Sequence, residues 1–190
     1  EKQNEVYSHI IQGGNIFLTG PGGVGKSAII KMFNRNYKDK LKISITSTTG
    51  TSALLINGTT LHSYLGIGLG NACVKYFVEK IQGKSYLLKR WKNVDCLIID
   101  EISMLDPDLF DKIEEIARII RKSKKPFGGI QIVISGDFLQ LPCIVTDKFC
   151  FEAKSWDSVV TKTVYLTEII RQKNIEFQNC LNEIRIGNIT

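Results

Sequence analysis

The stretch of sequence that decides the fold reads Gly20-Pro21-Gly22-Gly23-Val24-Gly25-Lys26-Ser27. It follows an apolar, β-rich run, Ile16–Thr19, and precedes a helical segment at 28–34. This is the strand–loop–helix context of the phosphate-binding pattern G-x-x-x-x-G-K-S. Glycines let backbone N–H groups point at phosphate oxygens, and the helix N-terminus adds a favourable dipole.

The pattern predicts a site for ATP and Mg²⁺. Lys26 reaches the β- and γ-phosphates in such a loop, and the hydroxyl of Ser27 binds the metal ion. The alternative interpretation is a glycine-rich turn with an exposed lysine. The predicted nucleotide-binding residues of the loop are Gly20, Gly22, Gly23, Val24, Gly25, Lys26, Ser27 and Ala28.

Further apolar runs alternate with helix-length segments along the chain. They lie at 43–46, Cys96–Asp100, 130–135 and 163–166. Because the runs are apolar throughout, they indicate parallel strands buried on both faces. We therefore predict an α/β domain with a mostly parallel sheet flanked by helices. The stretch between strands at about 50–95 is longer than a crossover needs, which predicts a small inserted subdomain.

The apolar run that begins at Cys96 ends in two acidic residues, Asp100 and Glu101. The carboxyl end of a parallel strand lies at the ligand crevice of an open α/β sheet, beside the phosphate loop. We predict that Asp100 supports Mg²⁺ through a water molecule and that Glu101 deprotonates the attacking water. The alternative is a solvated strand end. A glutamate beside the metal-supporting acid favours hydrolysis over transfer to a bound acceptor.

A third polar segment follows the run at 130–135 and reads Gly136-Asp137-Phe138-Leu139-Gln140-Leu141-Pro142. A glutamine just beyond that strand can reach the γ-phosphate, so Gln140 is a predicted catalytic residue. The alternative is a turn that contains a glutamine by chance.

Length and composition predict one domain of an ordinary globular protein. The chain has 190 residues, 43% of them hydrophobic, and a net charge of +6. A basic balance is typical of proteins with a polyanionic partner such as nucleic acid. The five cysteines form no C-x-x-C pair, which indicates a reduced, intracellular protein without a zinc site. Neither an apolar run long enough for a membrane span nor a signal segment is expected.

The motifs together resemble the first RecA-like domain of a Pif-type DNA helicase (petite integration frequency family, superfamily 1B). The resemblance covers almost the whole chain. Besides the phosphate loop, its most specific parts are 100–106, a stretch from Phe110-Asp111-Lys112 to Pro126-Phe127-Gly128-Gly129-Ile130-Gln131, the segment 60–70, and Arg171-Gln172 with Ile184-Arg185-Ile186-Gly187. It implies a RecA-like P-loop NTPase fold.

The resemblance also implies roles for single residues. Gln3 matches the glutamine that contacts adenine, with a solvated residue near the terminus as the alternative. Gln140 matches the γ-phosphate glutamine, and Arg171 matches an arginine that approaches the same phosphate. Residues matching the family's contacts to single-stranded DNA are Ser47, Thr48, Thr49, Gly50, His62 and Ser63. His62 has a structural hydrogen-bonding role as its alternative.

Two further residues are predicted to touch a base. Phe138 and Pro142 each offer an apolar surface on which a base can stack, and such stacking tolerates any sequence. A place in the core is the alternative for Phe138.

The implied domain organisation has three parts. Residues 1–70 and 94–190 form the ATP-binding domain, 71–93 form a small wedge subdomain near the duplex junction, and the second RecA-like domain is absent from this chain. The segment 71–93 interleaves basic and aromatic residues, which suits a nucleic-acid face, although a solvated pair of amphipathic helices gives the same pattern. The basic run 121–125 fits the end of a helix, where cations are favourable.

The function that the resemblance implies is that of a motor domain. As part of a 5′→3′ DNA helicase, this domain would couple ATP hydrolysis to movement along single-stranded DNA and to duplex unwinding. The isolated chain is expected to bind nucleotide with weak or no ATPase activity, as a monomer that needs the second domain. The compartment is intracellular: nucleus, mitochondrion or a viral replication site. A small-molecule P-loop kinase and a non-catalytic module that binds ATP or DNA are the alternatives.

Overall fold

The structure, a computed structural model, describes residues 2–168 and 174–188. Its strands are β1 (Ile16–Thr19), β2 (Ile43–Ser47), β3 (Thr59–Thr60), β4 (Cys96–Asp100), β5 (Gln131–Gly136) and β6 (Lys162–Tyr165). Its helices are α1 (Lys2–Ile11), α2 (Lys26–Tyr37), α3 (Gly50–Leu55), α4 (Leu61–Leu65), α5 (Val74–Gln82), α6 (Ser85–Asn93), α7 (Pro107–Arg121), α8 (Trp156–Val159) and α9 (Ile175–Arg185). Short 3₁₀ turns span Ile102–Met104, Pro126–Gly129 and Cys150–Glu152.

The strands of the described chain form one parallel sheet in the order β3-β2-β4-β5-β1-β6. The predicted α/β class is confirmed, and the five predicted strands lie within a residue or two of their expected bounds. The short edge strand β3 was not predicted. Because β5 lies between β1 and β4, the carboxyl ends of these three strands are neighbours, and Gly136 at the end of β5 pairs with Thr19 at the end of β1.

The central strands β1, β4 and β5 are buried on both faces. Ile16 and Leu18 contribute to the layer that α1 and α2 cover, whereas Phe17 between them contributes to the opposite layer with α7 and α8. Successive side chains of a strand point to opposite faces, so a strand buried on both sides is apolar at every position. This is the physical reason that the apolar runs identified the strands.

The segment 71–93 forms α5 and α6, which pack against α7. Their buried residues Phe77, Ile81, Leu87 and Trp91 belong to the same core as the α7 side of the sheet. The Trp91 indole donates a hydrogen bond to the Leu65 carbonyl at 3.1 Å. The outer faces of both helices carry exposed lysines, so the pair is amphipathic. Its division as a wedge subdomain stays a prediction.

Glu114 of α7 holds the turn Pro126–Gly129. The Glu114 carboxylate accepts a hydrogen bond from the backbone N–H of Phe127 at 3.2 Å and pairs with Arg118 at 2.9 Å. Phe127 has a positive φ of 49°. At Gly128, with φ 62°, a Cβ atom would lie 2.6 Å from the Ala117 carbonyl oxygen, so the close packing of the turn on α7 requires glycine.

Arg121 joins the same turn to the end of α6. Its guanidinium donates hydrogen bonds to the carbonyl oxygens of Gly128 (2.9 Å), Trp91 (3.0 Å), Lys92 (2.7 Å) and Val94 (3.1 Å). These carbonyls include the last ones of a helix, which have no partner inside it. The arginine therefore satisfies the helix end and fixes α6 against α7.

None of the helices in the described ranges combines the length and apolar composition that crossing a membrane requires.

Replacing Arg121 by Met should lower the free energy of unfolding by about 1.5–3 kcal/mol, because hydrogen bonds from a charged group would be lost from half-buried carbonyls. Urea unfolding followed by circular dichroism measures the change. The control is Lys124→Met, which removes an exposed positive charge of the same basic run and should change stability by about 0.5 kcal/mol or less. Equal losses in both variants would contradict the role given to the Arg121 hydrogen bonds.

Candidate active site

The phosphate loop joins β1 to α2 and lines a cavity at the carboxyl edge of the sheet. Gly20 has φ 136°, and a Cβ atom there would collide with the Leu166 carbonyl, so this position requires glycine. Gly25, with φ 92°, precedes the first turn of α2. The cavity, of about 360 Å³, is lined by Gly22, Gly23, Gly25, Lys26, Ser27, Ala28, Asp100, Glu101 and Gln140.

Lys26 is the cation of the cavity. Its Nζ donates hydrogen bonds to the carbonyl oxygens of Gly20 at 2.6 Å and Pro21 at 3.0 Å. Burial lowers the pKa of the Lys26 ammonium, and the neighbouring carboxylates of Asp137, Glu101 and Asp100 oppose that shift. These carboxylates keep a positive charge favourable beside the loop, where phosphate oxygens would be received.

Val24 differs from the other predicted loop residues. Its side chain is buried in the core, and its carbonyl accepts a hydrogen bond from the Gln3 amide at 3.1 Å. Only the backbone of Val24 is thus placed to serve a nucleotide. The Gln3 amide lies at the loop, on the side of Leu166 and Thr167.

The two acids lie together at the end of β4. Asp100 is 4% exposed, and burial raises the pKa of its carboxyl. Burial, and then the nearby Asp100 charge, raise the pKa of Glu101. A raised pKa makes a carboxylate a better proton acceptor.

Glu101 has the left-handed backbone conformation, with φ 55° and ψ 46°. This conformation is unfavourable for a residue with a Cβ atom and often occurs at functional sites. The Thr48 hydroxyl donates to the Glu101 carbonyl at 2.8 Å, and the Thr48 N–H donates to the Asp100 carbonyl at 3.2 Å. The segment after β2 therefore holds the peptide that carries both acids.

Sequence reasoning missed Arg185 and the role of Asp137. Asp137 follows β5 and is 2% exposed, and its carboxylate accepts hydrogen bonds from Arg185 Nε at 2.6 Å and Nη2 at 2.8 Å. It also accepts one from the Gln140 amide at 3.1 Å. Both residues belong to stretches quoted for the family resemblance, but their contact spans 48 positions and no local pattern indicates it. Arg171 lies outside the described residues.

The residues after β2 that are predicted to contact single-stranded DNA differ in solvent exposure. Ser47 is fully buried, and its hydroxyl donates to the Asp100 carbonyl at 3.3 Å. Its side chain therefore cannot contact single-stranded DNA, which corrects that part of the prediction. Thr48 and Thr49 are half-buried and Gly50 is exposed. The Thr49 hydroxyl accepts a hydrogen bond from the Ser52 N–H at 3.2 Å and caps α3.

His62 and Ser63 lie on the short helix α4, whose first turn is capped by the Thr60 hydroxyl. Burial lowers the pKa of the His62 imidazole and so favours the neutral ring. Ser63 is exposed. Arg90 of α6 donates to the Tyr64 carbonyl at 2.5 Å and lies 5.0 Å from the centre of the Tyr64 ring. The contact connects α6 to the helix that carries both residues.

Phe138 packs within an aromatic cluster rather than standing free. Its ring centre lies 5.5 Å from that of Phe17 and 4.9 Å from that of Phe151, both in edge-to-face geometry. The core alternative for Phe138 therefore has direct structural support, although the side chain is only half-buried. Pro142 is exposed.

Comparison with known proteins gives a consistent result. A protein of invertebrate iridescent virus 6, named uncharacterized protein 030L, is 46% identical over 205 residues, covering 100% of this chain and 39% of that protein. The ATP-dependent DNA helicase PIF1 of Emericella nidulans is 43% identical over 199 residues, covering 99% of this chain and 27% of that protein. The chain thus spans well under half the length of these relatives.

Solved structures of helicases have the same fold. The Pif1 helicase of Candida albicans matches with a TM-score of 0.96 and 40% identity, over 100% of this chain and 44% of that one. The Pif1 helicase of Bacteroides in complex with ADP-AlF3 and single-stranded DNA matches with a TM-score of 0.81 and 33% identity, over 100% of this chain and 47% of that one. The family model of PIF1-like helicases matches residues 1–190, and the chain therefore belongs to the PIF1-like helicase family.

Proposed function

We propose that this chain is the ATP-binding motor domain of a 5′→3′ DNA helicase. The observation that carries the proposal is the single cavity in which the phosphate loop, both acids and Gln140 meet. A phosphate loop alone suits many enzymes, but a buried acid with a second, less buried acid beside it suits hydrolysis of the nucleotide. The Bacteroides Pif1 helicase, of the same fold, was solved with ADP-AlF3 and single-stranded DNA.

Lys26, Glu101 and Gln140 of the cavity, together with Arg171, have roles in the proposed reaction. The loop N–H groups and Lys26 bind the β- and γ-phosphates. Glu101 accepts a proton from the attacking water, and its raised pKa favours that role. Gln140 contacts the γ-phosphate. Lys26 and Arg171 balance the charge that builds up on the transferring phosphoryl group.

The chain's residues fit Mg²⁺ as the accompanying ion. Ser27 at the first turn of α2 and the buried Asp100 carboxylate line the same cavity and offer the oxygen donors that Mg²⁺ prefers. Ser27 would bind the ion directly and Asp100 through a water molecule. Bound there, the ion would neutralise phosphate charge.

Single-stranded DNA is the proposed second ligand. Thr48, Thr49, Gly50, His62 and Ser63 are its proposed contacts, with Pro142 as the stacking surface and Phe138 as a partly covered one. The second RecA-like domain would close over the nucleotide, and duplex junctions would lie near 71–93. We expect a monomer, in the nucleus, in the mitochondrion or at a viral replication site.

We expect the 190-residue chain to bind ATP but to turn it over slowly or not at all, because an arginine from a second domain can contribute about 10³–10⁵-fold in rate. The measurement is ATP turnover by this chain and by a longer protein that adds the second domain, each with and without single-stranded DNA. Turnover only by the longer protein, stimulated by DNA, is the expected result. Fast turnover by the short chain would contradict the two-domain motor.

In the longer protein, Glu101→Gln should reduce ATP turnover by at least about 100-fold, the usual contribution of a general base, while ATP binding persists. Steady-state phosphate release measures the rate and a fluorescent ATP analogue measures binding. The matched control is Glu115→Gln, an exposed glutamate on α7 that should leave turnover unchanged. Full activity of Glu101→Gln would favour the alternative of a non-catalytic module.

The pH profile of kcat/KM for that turnover, which reports on the enzyme before it binds ATP, should have its acid limb above the range of an ordinary glutamate. Burial favours the protonated form of Glu101, so the base is lost at a higher pH as the solution is acidified. Phosphate release measured from pH 5 to 8, with binding of the ATP analogue as the control, tests this. An acid limb at or below the usual glutamate range would contradict the assignment.

Binding of single-stranded DNA should weaken with salt. If roughly four phosphates are contacted, affinity should fall about 50-fold between 50 and 200 mM salt. Fluorescence anisotropy of a labelled oligonucleotide measures it, and an oligonucleotide with an uncharged backbone is the control. A flat response with the charged strand would contradict binding through the sugar-phosphate backbone.

A further inference from the structure

Asp137 and Arg185 form a bidentate ion pair at the edge of the nucleotide cavity. The two contacts of 2.6 and 2.8 Å join neighbouring nitrogens of the guanidinium to the two carboxylate oxygens. The side chains are 2% and 12% exposed. The guanidinium also lies 6.0 Å from the centre of the Tyr165 ring. Such a fork fixes the orientation of the carboxylate as well as its position.

The oriented carboxylate in turn holds the turn that carries Gln140. Asp137 Oδ2 accepts a hydrogen bond from the Gln140 amide at 3.1 Å, and Oδ1 accepts one from the Leu139 N–H at 3.2 Å. The backbone N–H of Gln140 donates to the Asp137 carbonyl at 3.0 Å. One acidic residue therefore binds the backbone and the side chain of the same turn.

This contact determines which way the Gln140 amide faces. An ionised carboxylate only accepts hydrogen bonds, so the Gln140 side chain must present its NH₂ group to Asp137. Its carbonyl oxygen and its second N–H are left for the cavity that Gln140 lines. Without the carboxylate, both orientations of the amide would be available.

The charges of the pair also act on Lys26. Arg185 lines a second cavity together with Gly22 and Gly23, so the pair lies beside the phosphate loop. The Asp137 charge raises the pKa of the Lys26 ammonium, and the Arg185 charge lowers it. Arg185 thus compensates the buried negative charge of Asp137.

We propose that Asp137 and Arg185 are positioning residues: Arg185 orients the Asp137 carboxylate, and Asp137 sets the amide of Gln140 for the γ-phosphate. The inference rests on the proposed function, because it takes Gln140 as the γ-phosphate contact. It assigns to α9, which carries Arg185, a part in distinguishing nucleoside triphosphate from diphosphate.

The test compares binding of a non-hydrolysable ATP analogue and of ADP to the 190-residue chain, by titration calorimetry with Mg²⁺. Asp137→Asn keeps the size of the side chain, and Arg185→Lys keeps the charge but loses the fork. Each should weaken binding of the triphosphate analogue about fivefold to tenfold and change ADP binding by about twofold or less. A merely structural role would weaken both nucleotides alike.

Two further variants sharpen the test. Arg118→Lys, the matched control, alters a 2.9 Å arginine–carboxylate pair on α7 and should change neither affinity. In a Gln140→Ala background, Asp137→Asn should cause no additional loss of triphosphate affinity, since the two residues act in series. If Asp137→Asn does not fold, Arg185→Lys in the same two backgrounds makes the same comparison.

The outcomes separate the two proposals. Suppose that the unaltered chain binds both nucleotides normally. The positioning role alone would then be overturned if Asp137→Asn and Arg185→Lys weakened ATP-analogue and ADP binding equally. It would also be overturned if Asp137→Asn weakened triphosphate binding as much in the Gln140→Ala background as in the unaltered chain. Failure of the unaltered chain to bind either nucleotide would overturn the proposed function, and the positioning role with it.

Discussion

The site depends on one constraint, the parallel register of β1, β5 and β4. Because β5 lies between the other two, the phosphate loop, the Gln140 turn and the acid pair leave the sheet side by side. The pairing of Gly136 with Thr19 fixes the relative height of two of these segments. A shift of one residue would reverse every side chain of a strand between the two faces, so the buried layers also protect the geometry of the cavity.

Features that are continuous in sequence could be predicted from it. The phosphate loop and the acid pair are each short, and the chemistry lies in neighbouring residues. The central strands β1, β4 and β5 could be found because burial on both faces makes them apolar at almost every position. The edge strand β3 escaped because two threonines, Thr59 and Thr60, carry no such signal.

Features that depend on tertiary contacts could not be predicted. Ser47 matches a motif that contacts single-stranded DNA, yet it is completely buried and its hydroxyl donates to the Asp100 carbonyl of β4. The pairing of Arg185 with Asp137 requires α9 to return to the sheet edge. Arg121 was expected to act as a general cation at a helix end, whereas the structure gives it specific carbonyl partners on α6 and on the turn Pro126–Gly129.

The hydrogen bond from Thr48 to the Glu101 carbonyl has a thermodynamic consequence. If bound single-stranded DNA displaces Thr48, the free energy of DNA binding includes the loss of this hydrogen bond to the peptide of Glu101, the proposed general base. Linkage is reciprocal, so any factor by which the strand alters nucleotide affinity must equal the factor by which nucleotide alters strand affinity. The Thr48 hydroxyl would then contribute to the coupling free energy between binding of nucleotide and binding of single-stranded DNA.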